Sequence, residues 1–408
     1  GQVMILKNVL VLFDGEKRLT DVQIEKDTIV KIEQGLKGEG YDLKGGFLTA
    51  GGIDCHAHFR EPGYTDKGSI LTETQSAIKG GIFTAFAMPN LNPTPDSVKN
   101  LKVETDVIER DAKITVLPYG SLTKGEKGKE LSDLEDLAKK VVAFSDDGKC
   151  VNDLGLLKEG MIRAKALNKV IASHAEAEGL GDTPLAEIKA VERELNLAKQ
   201  TGVKYHFCHL STAESLSLVK DAKREGIDVT CEVTPHHIAM IALDKTNANF
   251  KMNPPLREKK DVLATIEAIV NGVADFIATD HAPHTAIEKA LPWEQAPYGI
   301  IGFETMYPIV ITTLYKTGLM NLMDIERITS KAVAARFGLK APKIAVGEKA
   351  TFAVLDLDNK RKYTLSEIKS KSKNSPFIGK EMYGYNKLSV VNGKIEYIDL
   401  EEVCQTKF

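Results

Sequence analysis

Apolar and polar positions divide the chain into three textures. From Val3 to about Tyr41 they alternate, in MILKNVLVL and in DVQIEKDTIVKIEQG, with a polar break at Asp14-Gly15-Glu16. A period of two between turn residues predicts short strands. From about Ala341 the same texture returns in KATFAVLDLD and LSVVNGKIEYIDL, where Asn392-Gly393 is a strong hairpin signal. Neither end has enough strands for a closed core of its own, so both termini are expected to build one small β-sandwich domain, residues 1–46 with 341–408.

Between them, over 47–340, strand-like runs alternate with helical patterns. The runs are GGIDCHAH, FTAFAMPN, ITVLPYGS, VVAFSDD, VIASHAE, YHFCHLS, DVTCEVTPHH and ADFIATDHAPH. Helical fillers include KEGMIRAKALN, LAEIKAVERELNLAKQ, AESLSLVKDAKREG and KKDVLATIEAIVNG. A spacing of roughly 30 residues suits a strand, a helix and two loops, the βαβ unit. Eight such units predict an α/β fold, a (β/α)8 barrel of the TIM type over 47–340. An open doubly wound sheet fits less well. No G-x-G-x-x-G follows the first strand, and the polar residues are spread over many strand ends instead of gathering at one crevice.

In a closed barrel the C-terminal ends of the strands converge on one mouth. Residues two apart on a strand share a face, so His56 and His58 would present their imidazoles together at the end of the first strand. Taken alone, an H-x-H is a pair of satisfied polar residues. What changes its meaning is recurrence: Asp147, His174, His209 and Asp280 stand at the ends of later strands. Four imidazoles and two carboxylates at one mouth make a site for one or two divalent ions of the zinc type. Such a centre activates water and polarises a carbonyl, and Asp280 can carry the proton from water to a leaving nitrogen. Making or breaking an amide bond is the reaction that follows.

Composition narrows the substrate. The chain has 408 residues, 43% of them hydrophobic and 27% charged, with a formal net charge of −3 and a pI near 6.4. That balance leaves no electrostatic footprint for nucleic acid or an anionic membrane, so a small molecule is expected. Five scattered cysteines without C-x-x-C spacing fit a reducing, cytoplasmic compartment and imply neither a disulfide framework nor a zinc knuckle. No apolar run approaches the roughly 20 residues of a membrane span, and the start shows no secretory pattern. Gly1 in place of methionine points to a trimmed or tagged start.

HAHFREPG at 56–63, MPNLNPTPD at 88–96, FSDDG at 144–148, CHLST at 208–212, KMNPPLR at 251–257, TDHAPH at 279–284 and APYGIIGFET at 296–305 together resemble the dihydroorotases of the bacterial class I type, in the amidohydrolase superfamily. The match runs in order over nearly the whole chain. The resemblance implies reversible cyclisation of N-carbamoyl-L-aspartate to L-dihydroorotate in pyrimidine biosynthesis, with zinc as cofactor. It implies that Asp147 stands where many relatives carry a carboxylated lysine bridging two metals. Carried over by position, His56, His58, Asp147 and Asp280 would hold one zinc, and Asp147, His174 and His209 a second. Arg60, Asn90 and His284 would grip the substrate's free carboxylate, and Asn253 with the Tyr298-Gly299 loop would line the ring. An arginine fork suits a carboxylate, to which an amide adds a directional hydrogen bond. The partners expected are the small substrate, another copy of the chain in a homo-oligomer such as a dimer, and an aspartate transcarbamoylase.

Two departures stand out. Ala175 follows His174 where many relatives have cysteine, and the stretch from His174 to His209 is short for the class. Lys149, two residues past Asp147, reads as a solvated loop lysine. His236-His237 reads as a structural pair or a support for the site, His206 as a residue packed in or near the core, and His281 as a support for Asp280. Two rivals remain: another cyclic amidase, such as an allantoinase or hydantoinase, and a catalytically dead scaffold that binds a transcarbamoylase. Arg60 argues against the first, the intact ligand set against the second.

Overall fold

The computed structural model describes residues 3–408; Gly1, read above as a trimmed start, lies outside them. The N-terminal alternation becomes four strands: β1 (Val3–Phe13), β2 (Glu16–Glu25), β3 (Thr28–Glu33) and β4 (Glu39–Thr49). Asp14 and Gly15 turn the first hairpin at φ 48° and 82°, the left-handed pair that a tight two-residue turn requires. Asn392 and Gly393, at φ 48° and 81°, make the same turn near the other end.

Strands from both ends share one eight-stranded sheet. β4 pairs in parallel with β1 and antiparallel with Phe352–Leu355, which in turn pairs with Asn386–Val391. Cys404–Lys407 pairs with the first half of β4. Leu6, Val22, Leu43, Leu48, Phe352, Val354 and Leu388 come from all these segments into one buried cluster, so the sheet folds over a single core.

The middle of the chain supplies β5 (Gly52–Ala57), β6 (Ile82–Ala87), β7 (Thr115–Pro118), β8 (Gly120–Ser121), β9 (Phe144–Ser145), β10 (Ile171–Ser173), β11 (Tyr205–Phe207), β12 (Val229–Val233) and β13 (Phe276–Ile277). β5, β6 and β7 pair in parallel in chain order, and so do β8 to β13. β7 and β8 are one stave interrupted at Tyr119, so the barrel has the eight staves that the sequence predicts. It closes where Ala57 bridges His281 in parallel and the His58 N–H donates to the His281 carbonyl at 2.8 Å. The carboxylate of Asp54, wholly buried, tightens this seam by accepting from the Thr279 backbone N–H at 3.1 Å and from its hydroxyl. The predicted helical fillers are Leu154–Ala166, Pro184–Thr201, Ala213–Arg224 and Lys259–Asn271. Amphipathic periodicity explains their placement: Leu157, Met161 and Ala164 on the first, and Ala190, Val191 and Ala198 on the second, are buried against the staves.

Candidate active site

His56 lies on the last turn of pleat in β5; His58, Asp147, His174, His209 and Asp280 each follow a stave by one to three residues. All six are buried or nearly so. His209 and Asp280 hold φ at 31° and 54°, and Arg60 at 67°. Non-glycine residues pay about 1–3 kcal/mol for such backbone, a cost met in functional sites where side chains must be aimed.

The carboxylate of Asp147 joins two groups of ligands. Its Oδ2 lies 3.1 Å from His56 Nε2 and 3.2 Å from His58 Nε2, while Asp280 Oδ1 is 3.1 and 3.0 Å from the same two nitrogens. Its Oδ1 lies 3.6 Å from His174 Nδ1 and 3.8 Å from His209 Nε2, which are 3.1 Å from each other. With metal–ligand bonds of about 2.0–2.2 Å, neighbouring ligands on a tetrahedral ion lie about 3.3–3.6 Å apart. The donor set therefore matches a divalent metal in both spacing and chemistry. Asp147 Oδ1 adds a second sign, since it is buried without a hydrogen-bond partner among the described residues, a costly state that a cation relieves. Both His56-His58-Asp147-Asp280 and Asp147-His174-His209 can hold an ion.

Electrostatics agree. Burial pushes the carboxyls of Asp147 and Asp280 up, but the facing imidazoles outweigh it and hold both well below the usual carboxylate range. Protons and a metal ion compete for the same imidazole lone pairs. Three of the four rings are also aimed from behind. His56 Nδ1 faces Glu232 Oε2 at 3.0 Å, His58 Nδ1 faces Asn90 Oδ1 at 2.8 Å, and His174 Nε2 faces Glu176 Oε2 at 2.7 Å. In each case the outer N–H donates to oxygen and the inner nitrogen keeps its lone pair for the metal.

Beside this cluster lies a cationic corner. Arg60 is buried, donates from Nε to the Pro283 carbonyl at 3.0 Å, and places Nη2 3.1 Å from His284 Nε2. Burial lowers its guanidinium to about 10, so it remains a cation at neutral pH. Lys67 Nζ donates to His284 Nδ1 at 3.0 Å and to Glu288 at 2.6 Å. His284 Nε2–H in turn donates to the Tyr298 carbonyl at 2.7 Å. Burial, with Arg60 and Lys67 alongside, brings the His284 pKa to about 2 and keeps the ring neutral. Gly299 closes the corner at φ 130°, where a Cβ would come within 2.6 Å of Ala282 Cβ and 3.2 Å of His284 Nε2.

Asn253 donates to Glu176 Oε2 at 2.9 Å, beside His174, and the Tyr298 hydroxyl donates to Asp182 at 2.8 Å on the rim. Asn90 reaches the site through its Oδ1, which accepts from His58 Nδ1 at 2.8 Å. Lys149 is exposed, as a loop lysine is. His206 is buried, donating from Nε2 to Glu232 Oε1 at 2.9 Å and stacking on Phe276. His237 is structural: it is bonded to Thr234 and to the Pro254 carbonyl. His281 is a correction. Its ring bonds Glu73 at 2.8 Å and accepts from the Gly302 N–H at 2.9 Å, so it ties the barrel seam to the helix Ile70–Lys79 and leaves the Asp280 carboxylate alone. Sequence reasoning missed Glu232, Glu176 and Lys67. A charge inside the apolar run VTCEV was the available signal for Glu232; the other two carried none.

Comparison with known proteins places this geometry. A family profile described as Dihydro-orotase-like matches residues 45–187. Relatives named dihydroorotase include those of Fusobacterium nucleatum, 38% identical over 98% of this chain and 100% of its own length, and Bacillus caldolyticus, 41% identical over 94% and 95%. Another, from Staphylococcus aureus, is 38% identical over 96% and 99%. Among solved structures, L-hydantoinase from Arthrobacter aurescens superposes with a TM-score of 0.84 at 24% identity, covering 96% of this chain and 95% of that one. D-hydantoinase from Bacillus sp. AR9 gives 0.85 at 21% identity, covering 99% and 97%. At those identities the structures speak for the barrel-and-sheet fold alone. The near full-length likeness to the three relatives goes further: on an amidohydrolase-type barrel, this chain belongs to the dihydroorotase family.

Proposed function

We propose that the chain is a dihydroorotase, interconverting N-carbamoyl-L-aspartate and L-dihydroorotate in pyrimidine biosynthesis, with one or two zinc ions held by His56, His58, Asp147, His174, His209 and Asp280. The observation that carries this reading is the pairing of a metal-ligand cluster with the buried Arg60 cation, which forms no ion pair with any carboxylate of the described residues. A bound divalent cation supplies Lewis acidity, lowering the pKa of water toward about 7 and polarising an amide carbonyl.

The side chains do the rest. Arg60 and the His284 corner bind the ring carboxylate, and the NH2 group of Asn90 gives it a directional donor. Asn253 and the Tyr298-Gly299 segment flank the ring. In the hydrolytic direction the Asp280 carboxylate accepts the proton of the attacking water. As the water oxygen bonds to the ring carbonyl carbon and the carbon–nitrogen bond breaks, the proton passes from Asp280 to the leaving nitrogen. Ring closure runs the same steps in reverse. No helix among the described residues is long and apolar enough to cross a membrane; a cytoplasmic enzyme, self-association and contact with an aspartate transcarbamoylase fit this reading.

The test is turnover of dihydroorotate by purified protein, with metal content measured per chain; no turnover by metal-loaded protein, or a preference for uncharged hydantoin, overturns the reading. Asp280→Asn separates proton transfer from binding. An amide cannot accept the water proton, so kcat is expected to fall about 10²–10⁴-fold with KM little changed. Near-normal kcat in a variant that keeps its metal would remove Asp280 from that role. Gly299→Ala puts a methyl group into the His284 corner, and KM for dihydroorotate is expected to rise roughly tenfold or more as about 1–3 kcal/mol of strain displaces it. Unchanged KM would show that the corner yields without cost.

A further inference from the structure

The segment Ile368 to Phe377, IKSKSKNSPF, lies beyond the barrel in sequence yet packs on the segments that follow its first and last staves. Its burial alternates: Ser370, Ser372 and Asn374 point inward at 0%, 5% and 4% exposure, while Lys369, Lys371 and Lys373 face solvent. The usual alternation buries the apolar residue; here the buried face is polar. Burying hydroxyls and an amide is unfavourable unless every one finds a partner, and each of these does. Ser370 Oγ donates to Glu73 at 2.5 Å and Ser372 Oγ to the Lys67 carbonyl at 2.5 Å. The Lys369 N–H donates to Glu304 at 3.0 Å, fixing the start of the strap.

Asn374 uses its whole side chain. Its Nδ2 donates to the Ala282 carbonyl at 3.0 Å and to the Gly299 carbonyl at 3.1 Å, and its Oδ1 accepts from the His284 backbone N–H at 3.2 Å. Its own carbonyl accepts from the Ile301 N–H at 3.1 Å. One amide therefore joins the loop that carries His284 to the loop that carries Tyr298 and Gly299. The same strap, through Ser372, holds the main chain of Lys67, whose ammonium sets the His284 tautomer. All three groups belong to the cationic corner, and none is a metal ligand.

We infer that Asn374 is a positioning residue for the anion end of the site: the strap sets affinity for the substrate carboxylate while leaving the metal cluster and proton transfer untouched. The inference rests on the dihydroorotase reading above. Its test is steady-state kinetics of the metal-loaded enzyme and of Asn374→Ala with dihydroorotate, alongside metal content per chain. Loss of three hydrogen bonds that register two loops is expected to raise KM roughly tenfold or more, with kcat within about threefold and metal content unchanged. A merely structural role would lower kcat, metal content and folded yield together, and that outcome overturns the inference, as does an unchanged KM. Should Asn374→Ala fail to fold, Asn374→Asp keeps an acceptor for the His284 N–H and loses both donors, and the same split is expected of it. If the unaltered enzyme does not turn over dihydroorotate, the functional reading fails. If it does and KM is unmoved in the variant, the positioning role alone fails.

Discussion

Asp147→Ala is expected to lose metal and turnover together. Its carboxylate is the one group shared by both sets of ligands, with Oδ2 facing His56 and His58 and Oδ1 facing His174 and His209. Removing it leaves four imidazoles converging on a space whose inner face keeps only the Asp280 carboxylate. The cluster loses the negative charge that offsets a divalent cation, and each set falls one ligand short of a stable shell. Several kcal/mol of transition-state stabilisation go with the ion, so the rate should drop on the order of 10³-fold or more. Metal analysis of the variant beside its kcat is the check. Full metal content with normal turnover would disprove the bridging role and turn attention to Asp146. The structure speaks against that neighbour, because Asp146 Oδ1 already accepts from the Leu122 and Thr123 N–H groups at 2.9 Å.

Arg60→Ala addresses which cyclic amide the site was built for. The guanidinium is buried beside a neutral His284 and near Lys67, and no carboxylate of the described residues pairs with it directly; Asp280 and Glu288, at longer range, offset only part of its burial. A ring carboxylate would pair with it directly. Truncating one partner of a buried charged pair costs about 2–5 kcal/mol, which corresponds to a rise in KM of roughly 30- to 4,000-fold. Metal content should stay normal, since Arg60 touches none of the metal ligands' donor atoms. Kinetics on dihydroorotate with parallel metal analysis decide it. A variant that handles dihydroorotate like the unaltered enzyme would widen the reading to uncharged cyclic amides.

These two residues also show how differently parts of the site could be read. Asp147 is visible in sequence because a barrel imposes a rule: each stave delivers its end to one mouth, so polar residues that terminate apolar runs are candidates wherever they fall. That rule found all six proposed metal ligands. Arg60, Asn90, Asn253, His284, Tyr298 and Gly299 came from the resemblance of whole motifs, not from periodicity. His281 shows the limit of reading by adjacency, since its ring is rotated toward Glu73 and the helix Ile70–Lys79, a partner far away in the chain.

By itself the sequence determined what local chemistry and period encode. It specified eight strand–helix units, the β ends with their Asp14-Gly15 and Asn392-Gly393 turns, and the histidines and aspartates at the stave ends. Side-chain direction along a strand and left-handed backbone at Gly are properties of a few consecutive residues, so no long-range information is needed. Only tertiary structure decided which oxygen of Asp147 faces which imidazoles, and that Glu232 and Glu176 aim His56 and His174 from behind. It also decided that the strap carrying Asn374 crosses from the far end of the chain to hold the His284 corner. Those contacts join positions tens to hundreds of residues apart. Their energies depend on burial and on geometry set by the closed barrel, and neither is written in the spacing of the residues that make them.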